Sequence, residues 1–413
     1  MRMPSLWRAA LAAAAMSAVA VVPGTAFAET LSLWARASSS NAAQHMIDLW
    51  NASHDDKIEL TTIPDNQMVT KLATSVQAGD VPDLISFDLI FMPDFMKAGF
   101  LTDLTATLSA DPNQAKVAKA FQDLATYDGK LYGTGFTPDV SILVYNKDIF
   151  AKAGLDAEKP ALSTYDDFLA AARKIKSSKA AQAAIYPAPT SEFFQSWFDF
   201  YPLFAAETDG KQLVQDNKAQ FNSPEGQKVA AFWKTLYDEG LAAKEQYNGD
   251  SFADKKAAMA IVGPWAIAVY GDKVKWGAVP VPTSTKKDQV ETFSDAKNVA
   301  MYSACQNRAT AWEVMKFATS KDQDGALLTK TGQMPLRTDL KAAFPDYFAK
   351  NPAYTQFADQ AARTVEVPNV PNSVAIWQTF RDAYSQSVIF GKQPVADAFS
   401  GAAQKVDQLA SGS

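Results

Sequence analysis

The chain has 413 residues, enough for two or three domains, and 47% of them are hydrophobic. Acidic residues outnumber basic ones by 45 to 39, which disfavours nucleic acid and anionic membrane surfaces as partners. Cys305 is the only cysteine, so no intramolecular disulfide can form and the fold must rely on its core. The two histidines form no metal-binding motif, and we predict no metal and no other cofactor.

The first 28 residues match the three parts of a secretory signal peptide. Arg2 and Arg8 precede an apolar run over 9–22 that is too short for a membrane-spanning helix, and an A-x-A cleavage pattern ends at Ala28. We expect a mature chain that starts at Glu29, with a net charge of about −8 because two arginines are removed. A lipoprotein would have cysteine there, and no later apolar run could span a bilayer. We therefore predict a released protein without direct membrane insertion.

Strands and helices alternate at the start of the mature chain. Residues 30–34 alternate in polarity and predict a strand, which is followed by a helix with one apolar face from about Asn41. A strand over 57–63, a helix that ends at Gly79 and an apolar strand over 84–87 come next. This order predicts a βαβ arrangement with a mostly parallel sheet.

The alternation is interrupted after the third strand and resumes further along the chain. An apolar strand is predicted over 142–145, helices begin near Ser163 and Ser223, and residues 276–282 are extended. The last part of the chain is helical in pattern. Without a repeat or a Gly/Ser linker, this predicts a second α/β unit joined to the first by short extended crossings.

Residues 252–270, FADKKAAMAIVGPWAIAVY, connect a predicted buried strand to a predicted helix. The apolar run over 257–262 has the length of a strand, and Pro264 ends it because proline lacks the backbone donor and suits the first turn of a helix. Ligands of open α/β sheets bind beyond the carboxyl ends of the strands. We therefore predict that Trp265 lines a cleft; the alternative is a core position.

The sequence contains no recognisable catalytic motif. It has no G-x-S-x-G elbow and no G-K-[ST] phosphate loop, and Gly133-Thr134-Gly135 does not continue as a dinucleotide fingerprint. A carboxylate pair for glycoside chemistry stays open, because any two of the 45 acidic residues could meet in the fold. We predict that the protein is not an enzyme.

Aromatic residues recur near predicted strand ends and helix starts, several of them with a polar neighbour. The aromatic residues are Trp34, Phe87, Trp197, Trp265 and Trp377, and the polar neighbours are Arg36, Asp88, Asp199 and Gln378. Sugars lay their C–H faces on aromatic rings and direct their hydroxyls at carboxylate, amide or guanidinium groups. The set favours a carbohydrate ligand, although any single member is better explained as core.

Several short motifs occur in a fixed order. They are KL at 71–72, AGDVPD at 78–83, DGKLYG at 128–133, YNKDIF at 145–150, AAM at 257–259 with GPW at 263–265, GQMP at 332–335 and PNVPNSVAIW at 368–377. Behind a signal peptide, this series resembles the extracellular solute-binding protein family 1, the maltose-binding-protein-like receptors of bacterial ABC sugar importers. The resemblance runs from Leu31 to about Leu409.

The resemblance implies an α/β, two-lobed periplasmic binding protein fold of type II, in which each lobe has a mostly parallel sheet and the ligand cleft lies between the lobes. Residues 29–138 and 284–336 would form the N-terminal lobe, and residues 139–283 and 337–413 the C-terminal lobe. The chain would cross near 138, over 282–298 and over 334–340.

The resemblance also implies the ligand contacts. Trp265 and Trp377 would be stacking platforms. The other ligand-facing positions would be Phe87, Asp88, Asp139 and Trp197, with Arg36, Gln67, Asn298 and Arg337 as further candidates. Phe87 stands where maltodextrin binders carry a larger ring, which disfavours long oligosaccharides.

The function predicted from these features is that of a monomeric periplasmic receptor. It would bind a mono- or disaccharide and deliver it to the transmembrane subunits of an ABC permease, and the absent lipobox points to a Gram-negative periplasm. One alternative is a polyol-phosphate receptor in which Arg36, Arg308 and Arg337 bind the phosphate. The other is a secreted enzyme that acts on saccharides.

Overall fold

The computed structural model describes residues 28–37, 40–64, 67–117, 119–137, 140–187, 195–245, 247–271 and 273–412. Residues 1–27 of the predicted signal peptide and the candidate ligand contact Asp139 lie outside these ranges, and Asp88 is described by its backbone alone. Within them, no helix combines the length and the hydropathy that a membrane span requires.

The predicted strands are present. Those over 57–63 and 257–262 have the predicted bounds, and those over 30–34, 84–87 and 142–145 each extend one or two residues further. The strands are β1 (Thr30–Arg36), β2 (Lys57–Ile63), β3 (Leu84–Asp88), β4 (Thr126–Tyr127), β5 (Lys130–Leu131), β6 (Gly133–Thr137), β7 (Ile142–Asn146), β8 (Ala183–Ile185), β9 (Val214–Gln215), β10 (Lys218–Ala219), β11 (Ala257–Val262), β12 (Trp276–Val279), β13 (Thr292–Phe293), β14 (Lys297–Met301) and β15 (Thr364–Val365).

The helices begin and end at the residues that local chemistry favours. Gly79 ends α2 with a left-handed φ of 71°, and the Thr164 and Ser223 hydroxyls accept backbone N–H groups at the starts of α7 and α9. The helices are α1 (Ser40–Ser53), α2 (Met68–Ala78), α3 (Met92–Lys97), α4 (Thr105–Ser109), α5 (Lys119–Leu124), α6 (Lys147–Lys152), α7 (Tyr165–Ser177), α8 (Gln195–Glu207), α9 (Pro224–Asp238), α10 (Trp265–Tyr270), α11 (Arg308–Ala318), α12 (Lys321–Thr331), α13 (Leu340–Ala343), α14 (Pro345–Lys350), α15 (Pro352–Gln360), α16 (Ser373–Tyr384) and α17 (Val395–Ala410).

The first sheet has five strands in the order β2-β1-β3-β14-β6. Strand β1 runs parallel to β2 and β3, which confirms the predicted βαβ arrangement. Its side chains are buried on both faces, since Leu31 and Leu33 belong to one hydrophobic cluster and Trp34 to another. Helices therefore cover both faces of this sheet, as in other α/β folds.

The second sheet has four strands in the order β12-β7-β11-β8. A mostly parallel sheet was expected in each lobe, and four strands of the first sheet and three of the second do share one direction. The exceptions are β14 in the first sheet and β7 in the second, each antiparallel to both of its neighbours. Strands β7 and β14 enter their sheets from the other sheet, so no βα crossover requires them to run parallel.

One edge of each sheet faces the other sheet. Strands β1, β2, β3 and β6 end at the edge of the first sheet where β14 begins, and β8, β11 and β12 end at the edge of the second where β7 begins. Short segments connect β6 to β7 and β12 to β14 between these two edges. We call them the cleft edges.

Two of the crossing segments are hydrogen-bonded side by side. Val140 bridges Ser294, and the backbone N–H of Ser141 donates to the carbonyl of Phe293 at 3.0 Å. Strand β13, within the second crossing, also pairs in parallel with β15. The first two crossings are therefore hydrogen-bonded to each other between the cleft edges. The exact lobe boundaries stay a prediction.

Candidate ligand-binding cleft

The facing sheet edges bring four of the candidate residues together. Arg36 is the last residue of β1 and Asp88 the last of β3, so both lie on the cleft edge of the first sheet. Gln67 is exposed at the start of α2, which follows β2 at the same edge. Trp265 begins α10 directly after β11, on the cleft edge of the second sheet. All four therefore lie at the two cleft edges, with Arg36 only 5% exposed, and their joint role in one ligand-binding cleft stays a prediction.

Trp265 differs from the other four aromatic candidates in its exposure. Its side chain is partly exposed, whereas Trp34, Phe87, Trp197 and Trp377 are buried. The predicted strand, break and helix around Trp265 are all present, and part of the indole packs on the hydrophobic cluster beneath α10. The remaining surface is available to a ligand, as expected of a stacking platform.

Trp197 and Trp377 pack on each other. Their rings are parallel within 7° at a centroid distance of 3.5 Å, and each residue is only 1% exposed. Tyr201 and Phe380 contact the edge of Trp197, and Phe293 lies beside Trp377. The role of both tryptophans as ligand contacts stays a prediction, and it would require this stack to open.

Phe87 and Asn298 lie opposite each other on β3 and β14, and both are fully buried. The Phe87 ring packs against Phe91 and Phe95 in the core. The Asn298 side-chain amide donates to the Phe87 carbonyl at 2.8 Å. Phe87 thus packs as a core residue, and its position as a ligand contact stays a prediction.

Arg337 lies between two carboxylates in the third crossing. Its guanidinium contacts Asp324 on α12 at 2.7 Å and Asp339 at 2.6 Å, and Lys116 contacts Asp339 at 2.7 Å. The two cations hold the pKa of Asp339 well below its usual range. Burial raises the pKa of Asp324 to about 6, because the cost of burying its charge exceeds the stabilisation of that charge by Arg337. Arg337 thus has a structural role here, and ligand contact stays a prediction.

A buried polar cluster that was not predicted from the sequence lies where the second crossing enters β14. Asp295 is 1% exposed, and the Lys297 ammonium lies 3.3 Å from its Oδ2 atom. Glu366, which follows β15, accepts the backbone N–H of Ala296 at 3.2 Å. Burial raises the pKa of Glu366 to about 8. Asp295 and Lys297 directly before the apolar run over 299–301 were the available signal.

The structure separates the arginines of the phosphate alternative. Arg36 lies on the cleft edge of the first sheet, whereas Arg308 begins α11 beyond the other end of β14. The Arg308 guanidinium donates to the carbonyls of Cys305 and Ser303. With Arg337 held by two carboxylates, these three arginines do not converge on one anion.

Comparisons with known proteins show what the chain is similar to. The maltodextrin-binding protein of Bacillus subtilis is 24% identical over 73% of this chain and 71% of its own length. The diacetylchitobiose-binding protein of Streptomyces coelicolor is 26% identical over 90% of this chain and 87% of its own. The solved structure of an ABC transporter solute-binding protein from Thermotoga lettingae, bound with α-D-tagatose, superposes with a TM-score of 0.81. The superposed region covers 92% of this chain and 100% of the Thermotoga chain, and the two sequences are 23% identical.

The structural similarity confirms the two-lobed fold of periplasmic sugar-binding proteins. A family model described as bacterial extracellular solute-binding protein matches residues 45–356, well over half of the chain. The two relatives described above are named as binding proteins. The prediction made from the short motifs is confirmed: the chain belongs to the bacterial extracellular solute-binding proteins.

Proposed function

We propose that the protein is the periplasmic receptor of an ABC importer and binds a mono- or disaccharide between the two cleft edges. The observation that carries this proposal is the partly exposed Trp265 on the cleft edge of the second sheet, with Arg36, Gln67 and Asp88 on the cleft edge of the first. An aromatic face next to charged and amide groups is the combination that sugars require. The protein catalyses no reaction in this proposal.

A small ligand fits the exposure of the aromatic candidates. Only one of the five, Trp265, offers exposed ring surface, and one indole face covers about one sugar ring. The similar proteins have names or bound ligands that range from tagatose through diacetylchitobiose to maltodextrin. These support a carbohydrate as the ligand class, and the single exposed aromatic favours the smaller members.

The proposed mechanism is closure of two lobes over the sugar. A ligand that contacts both sheet edges binds the closed form better than the open form and shifts the population by that difference in affinity. The hydrogen-bonded crossings would allow rotation while they keep the lobes aligned. The closed receptor would then dock on the permease transmembrane subunits as a monomer, in the periplasm to which the signal peptide sends it.

A thermal-shift screen of residues 29–413 tests the proposal. The probes are D-tagatose, D-galactose, maltose, maltotriose, N,N′-diacetylchitobiose and hexitol phosphates. Ligand at 100 times its dissociation constant should add about 2.7 kcal/mol to stability, which raises the melting temperature by several degrees.

The screen and an assay for reaction products together separate the alternatives. A larger shift with a hexitol phosphate than with any sugar would favour the polyol-phosphate receptor, and new products after incubation with di- or oligosaccharides would favour an enzyme. No shift with any carbohydrate, for folded and ligand-free protein, would overturn the proposed ligand class.

A further inference from the structure

Two buried oxygen atoms near the cleft end of β14 have no hydrogen-bond partner among the described residues. They are Oδ1 of Asp295 and Oδ1 of Asn298, and the two residues are 1% and 0% exposed. Strand β14 begins at the cleft edge, so both residues lie where the second crossing reaches the proposed binding site.

The second polar atom of each side chain is held in place. Oδ2 of Asp295 lies 3.3 Å from the Lys297 ammonium, which also donates to the Asp295 carbonyl at 3.0 Å. Nδ2 of Asn298 donates to the Phe87 carbonyl, and because a carbonyl can only accept, this bond also fixes which atom of the amide is oxygen. Both orientations are therefore determined by the fold.

Such an arrangement is unfavourable in the empty protein. A buried acceptor has given up its hydrogen bonds to water, so leaving it unpaired destabilises the folded state, and a carboxylate oxygen does so more than an amide. Proteins retain such groups mainly where a ligand or an ordered water completes them. Two unpaired acceptors occur within residues 295–298, beside the proposed ligand cleft. Together they indicate a ligand subsite.

The chemistry of the two atoms restricts the ligand group. Both oxygens only accept, so the ligand must donate, as a sugar hydroxyl or an amine does. A phosphate presents mainly acceptor oxygens, which cannot pair with two acceptors. The Lys297 ammonium lies 3.3 Å from Asp295, so a ligand ammonium would be repelled by it. Neutral hydroxyls are therefore the group that fits.

We propose that Asp295 and Asn298 form a specificity subsite that accepts hydrogen bonds from hydroxyl groups of the bound sugar and discriminates against deoxy and phosphorylated analogues. This inference rests on the proposed function, because it assigns contacts in the same cleft, and it requires the side chains that cover the two buried oxygens to move aside when the sugar binds. Asp295 would contribute more than Asn298, since hydrogen bonds to a charged acceptor are the stronger kind.

Isothermal titration of the wild type and the Asp295→Asn variant tests the proposal. The probe is whichever of D-tagatose, maltose and N,N′-diacetylchitobiose binds the wild type, together with its monodeoxy derivatives. Asparagine would turn its own carbonyl oxygen toward Lys297, so the ligand loses its charged acceptor. We expect affinity to fall by about 10- to 100-fold.

The deoxy sugars distinguish a ligand contact from a structural role. The derivative without the contacting hydroxyl should bind the wild type more weakly, and the variant should bind parent and derivative almost equally. If the variant instead bound the parent sugar and every deoxy derivative more weakly by the same factor, Asp295 would have a structural role and the proposal would be overturned. If Asp295→Asn does not fold, the same coupling is measured with Asn298→Ala, because loss of the second acceptor should likewise make the parent sugar and one deoxy derivative bind almost equally.

Asn146→Asp is a matched control, because Asn146 is a buried polar residue whose Nδ2 also has no partner within the described ranges. It ends β7, away from the cleft edge where that strand begins, so sugar affinity should not change. Wild-type protein that binds no sugar would overturn the proposed function and this inference with it. An Asp295→Asn affinity within twofold of the wild type would overturn the inference alone.

Discussion

Two buried clusters near the crossings differ in how completely their polar atoms are paired. In the third crossing, the Arg337 guanidinium contacts Asp324 and Asp339, and Lys116 completes the group. At the cleft end of β14, Asp295 keeps one oxygen without a partner among the described residues. The first cluster thus pairs its charges within the protein, while we propose that the second is completed by another molecule.

The largest effect should come from breaking the paired cluster with Arg337→Ala. Two buried or half-buried carboxylates would lose their main partner, and removing one member of a buried ion pair costs about 3–5 kcal/mol. Urea unfolding should show this loss, with the sugar dissociation constant unchanged. If the free energy of unfolding were unchanged and sugar binding were weaker, the result would show that Arg337 contacts the ligand.

A surface pair supplies the control for that experiment. Arg173 forms a bidentate contact with Glu239, but both side chains are substantially exposed. Arg173→Ala should therefore lower stability far less than Arg337→Ala, because water screens and solvates an exposed pair. Similar losses for the two variants would contradict the role given to burial.

The pH dependence of stability should report on the second cluster. Burial raises the pKa of Glu366 to about 8, so the folded protein binds this proton more tightly than the unfolded chain does. Its contribution to stability is complete below about pH 4.5 and is lost as the pH rises through about 8. The Asp295 carboxylate opposes ionisation of Glu366, and Lys297 favours it.

Glu366→Gln tests this dependence, because glutamine stays neutral at every pH and can still accept the Ala296 N–H. The wild type should lose stability relative to the variant between pH 5 and pH 9, by up to a few kcal/mol in urea unfolding at several pH values. A difference that is constant over this range would show that Glu366 is not buried in the neutral form.

Trp265→Ala should weaken sugar binding while the fold stays intact. Half-burial of an indole removes roughly 100 Å² from water, or about 2–3 kcal/mol, which is about 30- to 150-fold in affinity. Trp312→Ala is the matched control, since Trp312 is also partly exposed but lies on α11 beyond the far end of β14. Titration calorimetry should find a normal dissociation constant for the control; a normal value for Trp265→Ala would remove Trp265 from the site.

The smallest effect should come from Trp197→Phe. The stack on Trp377 contributes about 0.5–1.5 kcal/mol beyond the buried area, and its parallel indoles should give an exciton signal in near-ultraviolet circular dichroism. The variant should lose that signal and about this much stability. If sugar abolished the same signal in the wild type, the stack would open on binding, which would support the prediction that both tryptophans contact the ligand.

Local elements were predictable from the sequence because their causes are local. The alternation over 57–63, the Gly79 helix end and the Gly-Pro break before Trp265 all depend on neighbouring residues, and all are found where expected. The directions of β7 and β14 were not predictable in this way. They follow from the route of the chain between the two sheets, which no local pattern records.

The sequence by itself thus determined the element order, the family and the position of Trp265 at the end of a strand, since periodicity, turn residues and short motifs encode them. Only the tertiary structure decided which side chains are exposed and which are paired. Trp197 and Trp377 are 180 residues apart and Ala296 and Glu366 are 70 apart, so their contacts arise only when the crossings and helices pack together. Burial and hydrogen-bond satisfaction are properties of that packing.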